Sequence, residues 1–147
     1  MRSFFRQLHI MSLCVCALAK AWWIKCGKNM AWVHLDPPKQ VVTLSEVEVK
    51  EVFRWAKIWV RVGAWCTGRK CFFQAYIAGR VLNQLGYPVQ MNIGLKLDGG
   101  RRRVSGHCWL SSEGQPIGET DNPLDVYPIT MEQPEKGVCY WVGVSPT

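Results

Sequence analysis

A chain of 147 residues with 48% hydrophobic and 20% charged residues is long enough for one domain with its own core, and these fractions exclude a disordered chain. Its formal charge of +7 is spread along the sequence, with one tight cluster at Arg101-Arg102-Arg103, so a solvated face or an acidic peptide partner is favoured over nucleic-acid binding. Seven cysteines (14, 16, 26, 66, 71, 108 and 139) form no C-x-x-C pair, and with three histidines no set has zinc spacing; the odd count speaks against a disulfide framework and for free thiols in a reducing cytosol.

The chain opens ambiguously. Arg2 and Arg6 precede the apolar run Ile10–Ala19, the pattern of a secretion signal, but Lys20 and Lys25 interrupt it and leave it too short to span a bilayer. The favoured reading is a helix from about Ser3 to Cys26, ended by Gly27, whose apolar face packs on the domain. Residues 1–40 are then an N-terminal helical segment and residues 41–147 the core. Pro37-Pro38 marks a linker, and Ser45-Glu46-Val47-Glu48 fits a capping box that starts a second helix. That helix sets Val49, Val52, Phe53, Ala56, Trp59 and Val60 on one face and is expected to stop near Gly63.

A third helix follows the connector Cys66-Thr-Gly-Arg-Lys. From Cys71 to Leu85 it is apolar nearly all round, which predicts burial on most sides, and Gly86 with Pro88 ends it. Strands come next: Val89 to Leu95, Val104 to Ser111, Gln115 to about Thr120, and a last one within Gly137–Val144, with residues 122–134 read as loop. Helices followed by strands predict an α+β domain, the central helix packed on an antiparallel sheet.

The chemistry gathers around Cys71. A cysteine in a first helical turn faces unpaired backbone amides and the positive end of the helix dipole, and Arg69-Lys70 adjoin it. Such surroundings lower a thiol's pKa from about 8.5 and make thiolate available near neutrality. Of the three histidines, His9 lies in the first helix and His34 before the linker, which leaves His107, on the second strand beside Trp109, as the base. A three-residue hairpin loop at Ser112-Glu113-Gly114 pairs Ser111 with Gln115 and sets Glu119 opposite His107, with Asp121 as the diagonal neighbour; a two-residue loop puts Thr120 there instead. A carboxylate at that place would orient the imidazole and stabilise its charged form.

At these residues the sequence resembles the lasso-peptide B protein family, in its short stand-alone form: the transglutaminase-like leader peptidases. The resemblance rests on Cys71-Phe-Phe-Gln-Ala75, Leu82 to Gly86, Tyr87 to Gly94, His107-Cys-Trp-Leu110, and Gly114 leading to Glu119, and it covers roughly residues 50 to 125. It implies a transglutaminase-like, papain-like cysteine protease fold and a triad of Cys71 as nucleophile, His107 as base and Glu119 as orienting acid, with no cofactor. Three residues depart from the family pattern. Gln74 stands where arginine is common and Cys108 where alanine is common, while glutamate at 119 replaces the usual aspartate and leaves Asp121 open as the acid.

The implied task is removal of the leader from a ribosomally made lasso precursor, presented by a small leader-recognition protein and passed to a cyclase. Trp22, Trp23, Trp32, Trp55 and Trp59 are then candidates for a surface that docks one of these partners, set against a plain helical core. Two other readings stay open: an acyltransferase of the same fold, and a non-catalytic basic module using Arg101 to Arg103.

Overall fold

The computed structural model describes residues 2–26, 35–67, 70–98, 103–127, 129–132 and 140–142, with side chains over 5–23, 35–63, 70–96 and 105–127. Three helices precede the strands: α1 (Arg2–Cys26), α2 (Glu46–Thr67) and α3 (Lys70–Gln84). The strands are β1 (Gln90–Asp98), β2 (Arg103–Ser112), β3 (Gln115–Ile117), β4 (Ile129–Glu132) and β5 (Tyr140–Val142). They form one antiparallel sheet in the order β3-β2-β1-β4-β5, so the chain is an α+β domain as its sequence predicts.

The start of α2 follows from its capping box. The Glu48 carboxylate accepts the Ser45 N–H at 2.8 Å and also holds Arg6 of α1, which ties two helices at one point. The helix runs through Gly63 to Thr67 rather than stopping there, and a Cβ at position 63 would lie 3.2 Å from Leu18 of α1. Gly63 therefore serves a close helix–helix approach within α2. The end of α3 is a glycine cap in which Tyr87 N–H returns to the Leu82 carbonyl and Gly86 N–H to that of Asn83.

α3 is the hub. Phe73, Ala75 to Gly79 and Val81 to Asn83 are buried, and α1, α2, β1 and β2 all pack on it. Ile10, Cys14, Ala17 and Ala21 of α1 and Val52, Ala56 and Val60 of α2 close the helical side of the core. The sheet supplies Met91 and Leu110, a cross-strand pair, together with Cys108. Full burial of a large apolar side chain contributes about 1.5–3 kcal/mol, and Ile10, with the smaller Cys14, Ala17 and Ala21, holds α1 although other apolar residues on it face outward. Among these, Phe5, Leu8, Val15, Trp22 and Trp23 are exposed. No helix among the described residues is long and apolar enough to cross a membrane.

Two sequence expectations for the sheet are corrected. β4 falls inside the stretch expected to be loop: four residues between Pro128 and Pro134 give too short a pattern to read, and the strand exists because β1 offers it an edge at Asn92–Leu95. The β2–β3 connection is a two-residue turn, Glu113 and Gly114 at φ 52° and 77°, which pairs Ser112 with Gln115. Such a turn needs positive φ at both positions, and glutamate is an uncommon choice there.

Candidate active site

Three elements meet at the site: the first turn of α3 brings Cys71, the middle of β2 brings His107 and Cys108, and the segment after β3 brings Glu119. β3 pairs only with Leu110–Ser112, so the stretch of β2 that carries His107 and Cys108 lies beyond the end of β3. Successive side chains of a strand point to opposite faces. The Cys71 thiol nonetheless contacts the Cys108 side chain, the Cys108 N–H and the His107 ring, an arrangement open only to an atom lying at the strand's edge. The early end of β3 leaves that space clear.

β3 ends because of Gly118. Its φ of +75° turns the chain out of the strand, and a Cβ there would lie 2.5 Å from the Phe53 ring of α2. The backbone thus crosses the face of Phe53 and delivers Glu119 to the imidazole, with Glu119 Oε2 3.2 Å from His107 Nε2 and both side chains 27% exposed. Had β3 continued in its observed register, Thr120 would stand opposite His107. The expected neighbour is in place, but a break in the strand puts it there and not the expected register. Asp121 is exposed, and the carboxylate at the imidazole is that of Glu119.

His107 is held by stacking. Its ring lies 5.6 Å from that of Tyr127 and 6.1 Å from that of Trp109, both nearly parallel to it. The cross-strand partner of His107 is Gly94, where a Cβ would come within 2.6 Å of both Trp109 and Tyr127. The missing side chain is what lets the two aromatic residues lie over the sheet beside the imidazole. With Nε2 engaged by Glu119, Nδ1 is the nitrogen that remains for exchange with the thiol.

The half-buried Cys71 thiol has its pKa pulled down to about 5. The Cys108 thiol, as hydrogen-bond donor, is the largest cause; the Cys108 N–H and then His107, as partner and as positive charge, add to it, while partial burial opposes them. The direction agrees with the sequence expectation, but its main source is a residue that the sequence marked only as a departure. Cys14, buried in the helical core, is pushed the other way, up to about 12. Because thiolate is the reactive form, iodoacetamide labelling of the tryptic peptide Cys71–Arg80 is expected to titrate with a midpoint near 5, whereas an ordinary thiol titrates near about 8.5. A midpoint in the ordinary range would refute the assigned environment. The same depression contributes stability that is complete above the ordinary thiol range and is lost as pH falls toward about 5.

Other sequence candidates lie elsewhere. His9 lines a cavity of about 740 Å³ with Asp36, Arg80 and Asn83, at the opposite end of α3 from Cys71. His34, Trp32, Arg101 and Arg102 lie outside the described residues. Among the described residues, no group of three or more His, Cys, Asp or Glu side chains is placed to hold a metal ion. Trp109, Tyr127, Gly94 and Gly118 act on the site only through the tertiary structure; of these the sequence signalled Trp109 alone, by its place two residues from His107.

A thiolate within reach of an imidazole that is itself held by a carboxylate is the apparatus of nucleophilic acyl transfer. The Transglutaminase-like superfamily profile matches residues 38–131, well over half of the chain, and brackets all three of these side chains. The chain belongs to the Transglutaminase-like superfamily, which includes cysteine peptidases and acyltransferases. Neither a curated protein nor a solved structure gives a significant match.

Proposed function

We propose that this protein is a cysteine peptidase that removes the leader from a ribosomally synthesised lasso precursor in the cytoplasm, using Cys71, His107 and Glu119. The observation that carries the catalytic reading is the continuous series from thiol to imidazole to carboxylate at the edge of β2. The lasso assignment rests on the sequence resemblance around these residues. In this reading the Cys71 thiolate attacks the carbonyl at the leader–core junction, and the tetrahedral intermediate collapses as imidazolium protonates the leaving amine. Water activated by His107 then releases the leader from its thioester. Glu119 keeps the ring oriented and stabilises its charged form throughout. Glu119 also lines a groove of about 630 Å³ walled by Phe53, Tyr87 and Ile117.

α1 packs its inner face into the single domain that carries the catalytic residues, and its outward face docks the leader-recognition protein or the cyclase. Exposure of Trp22 (51%) and Trp23 (77%) supports this surface, whereas Trp55 and Trp59 are packed against the core and belong to the fold. Replacing Trp23 with serine is expected to weaken recognition-protein binding at least about tenfold, as at an aromatic hot spot, without changing thermal stability. Unchanged affinity in calorimetry would remove Trp23 from the docking surface.

Mass spectrometry of a lasso precursor incubated with this protein and a recognition protein tests the function. Free leader and free core are the expected products. A leader joined to an added amine would instead mark the acyltransferase alternative, and an uncleaved precursor would refute both.

A further inference from the structure

The mechanism above uses Cys108 only as a hydrogen-bond donor, yet it places a second thiol against the nucleophile. Cys71 and Cys108 come from different elements, and the packing of α3 on β2 brings the Cys71 thiol against the Cys108 side chain. Both are reduced, Cys71 half-buried and within reach of small solutes, Cys108 buried behind it. Cys14 is sealed in the helical core and Cys16 lies exposed on α1, so neither shares this arrangement.

We propose that Cys71 and Cys108 are a reversible oxidation site, at which a hydroperoxide closes a disulfide between them and switches the nucleophile off. In the first step the Cys71 thiolate attacks the peroxide oxygen. An S–O bond forms, the O–O bond breaks and hydroxide (or the alkoxide of an organic hydroperoxide) leaves, so sulfur is oxidised to sulfenic acid as the peroxide is reduced. In the second step the Cys108 sulfur attacks the Cys71 sulfur. The S–S bond forms as the S–O bond breaks, and the departing hydroxide takes the Cys108 proton and leaves as water. A small dithiol reverses the closure by exchange. Stabilisation of the Cys71 thiolate favours the first step, and burial of Cys108 keeps it reduced until the sulfenic acid forms beside it. The consequence is protective: the resolving thiol intercepts Cys71 before irreversible oxidation to sulfinic acid. The pairing does not depend on which acyl transfer Cys71 performs.

Titration of the whole protein with hydrogen peroxide, followed by alkylation, trypsin and mass spectrometry, tests this. The cleavage sites isolate each thiol, Cys71 in Cys71–Arg80 and Cys108 in Val104–Lys136. The expected result is loss of two hydrogens from the intact mass, these two peptides joined, and full reversal by dithiothreitol. Cys108→Ser retains a hydroxyl donor at this position but cannot pair. In it, Cys71 should gain two oxygens irreversibly at peroxide doses that leave the native protein recoverable, and Cys108→Ala should do the same should serine disturb packing. The proposal is overturned if Cys71 in the native protein accumulates sulfinic acid as readily as in these variants, or pairs with a cysteine other than Cys108. Because the readout is covalent mass, failure here is distinguishable from failure of the peptidase assay.

Discussion

Replacing Cys71 with alanine is expected to lower the rate of precursor cleavage by about 10⁴-fold or more while leaving leader affinity within about twofold. Without the sulfur no acyl-enzyme forms, and His107 and Glu119 are left with no nucleophile to activate. Folding should persist, because the side chain is half-buried at a helix start and a small residue replaces a small one. Serine should fare little better than alanine. Its hydroxyl titrates far above a thiol, so hydrogen bonds that hold a thiolate at Cys71 leave serine protonated. Cleavage kinetics and leader-binding anisotropy on the same preparations separate the two effects, and undiminished cleavage in the alanine variant would refute the nucleophile.

The second large effect concerns the acid. Glu119→Gln retains size and hydrogen-bonding capacity but loses the charge that stabilises imidazolium, and its amide can hold the ring in the wrong tautomer. A fall in kcat of about 10²–10⁴-fold is expected, by analogy with the acid of serine-protease triads, with KM little changed. Asp121→Asn is expected to stay within about twofold, since it is Glu119 whose oxygen lies 3.2 Å from His107. The reverse ranking in steady-state kinetics would transfer the role to Asp121.

The contrast between these two carboxylates shows what the sequence held and what it did not. The start of α2 and the end of α3 are legible because capping is local: Ser45 with Glu48, and Gly86 before Pro88, lie within a few residues of what they govern, whereas Gly63, expected to stop α2, lies inside it. Cys71 stands out by its immediate setting, and His107 by the exclusion of His9 and His34 together with its place beside Trp109. The route to Glu119 was not legible. A hairpin count that assumed glycine alone carried positive φ chose a three-residue loop, whereas Glu113 also adopts φ 52° and the true register is shifted by one. Glu119 reaches the imidazole because Gly118 breaks the strand, and Phe53, 65 positions earlier in the chain, packs against that break.

Cys108 marks the same limit. In sequence it is only the residue after a histidine, and its action on Cys71 depends on where β3 stops. Hydrogen bonds from the Cys108 thiol and N–H lower the Cys71 pKa, and neither can be read from the residues beside Cys71. β4 shows a further case: four residues carry no periodicity worth reading, and pairing with β1 and β5 defines them.

The central claim, that Cys71 carries the acyl group, is tested most directly by acid-quenching a brief reaction with precursor and mapping the covalent adduct by mass spectrometry. The account predicts the leader bound as a thioester on Cys71–Arg80. A leader adduct on any other residue of the protein would contradict it.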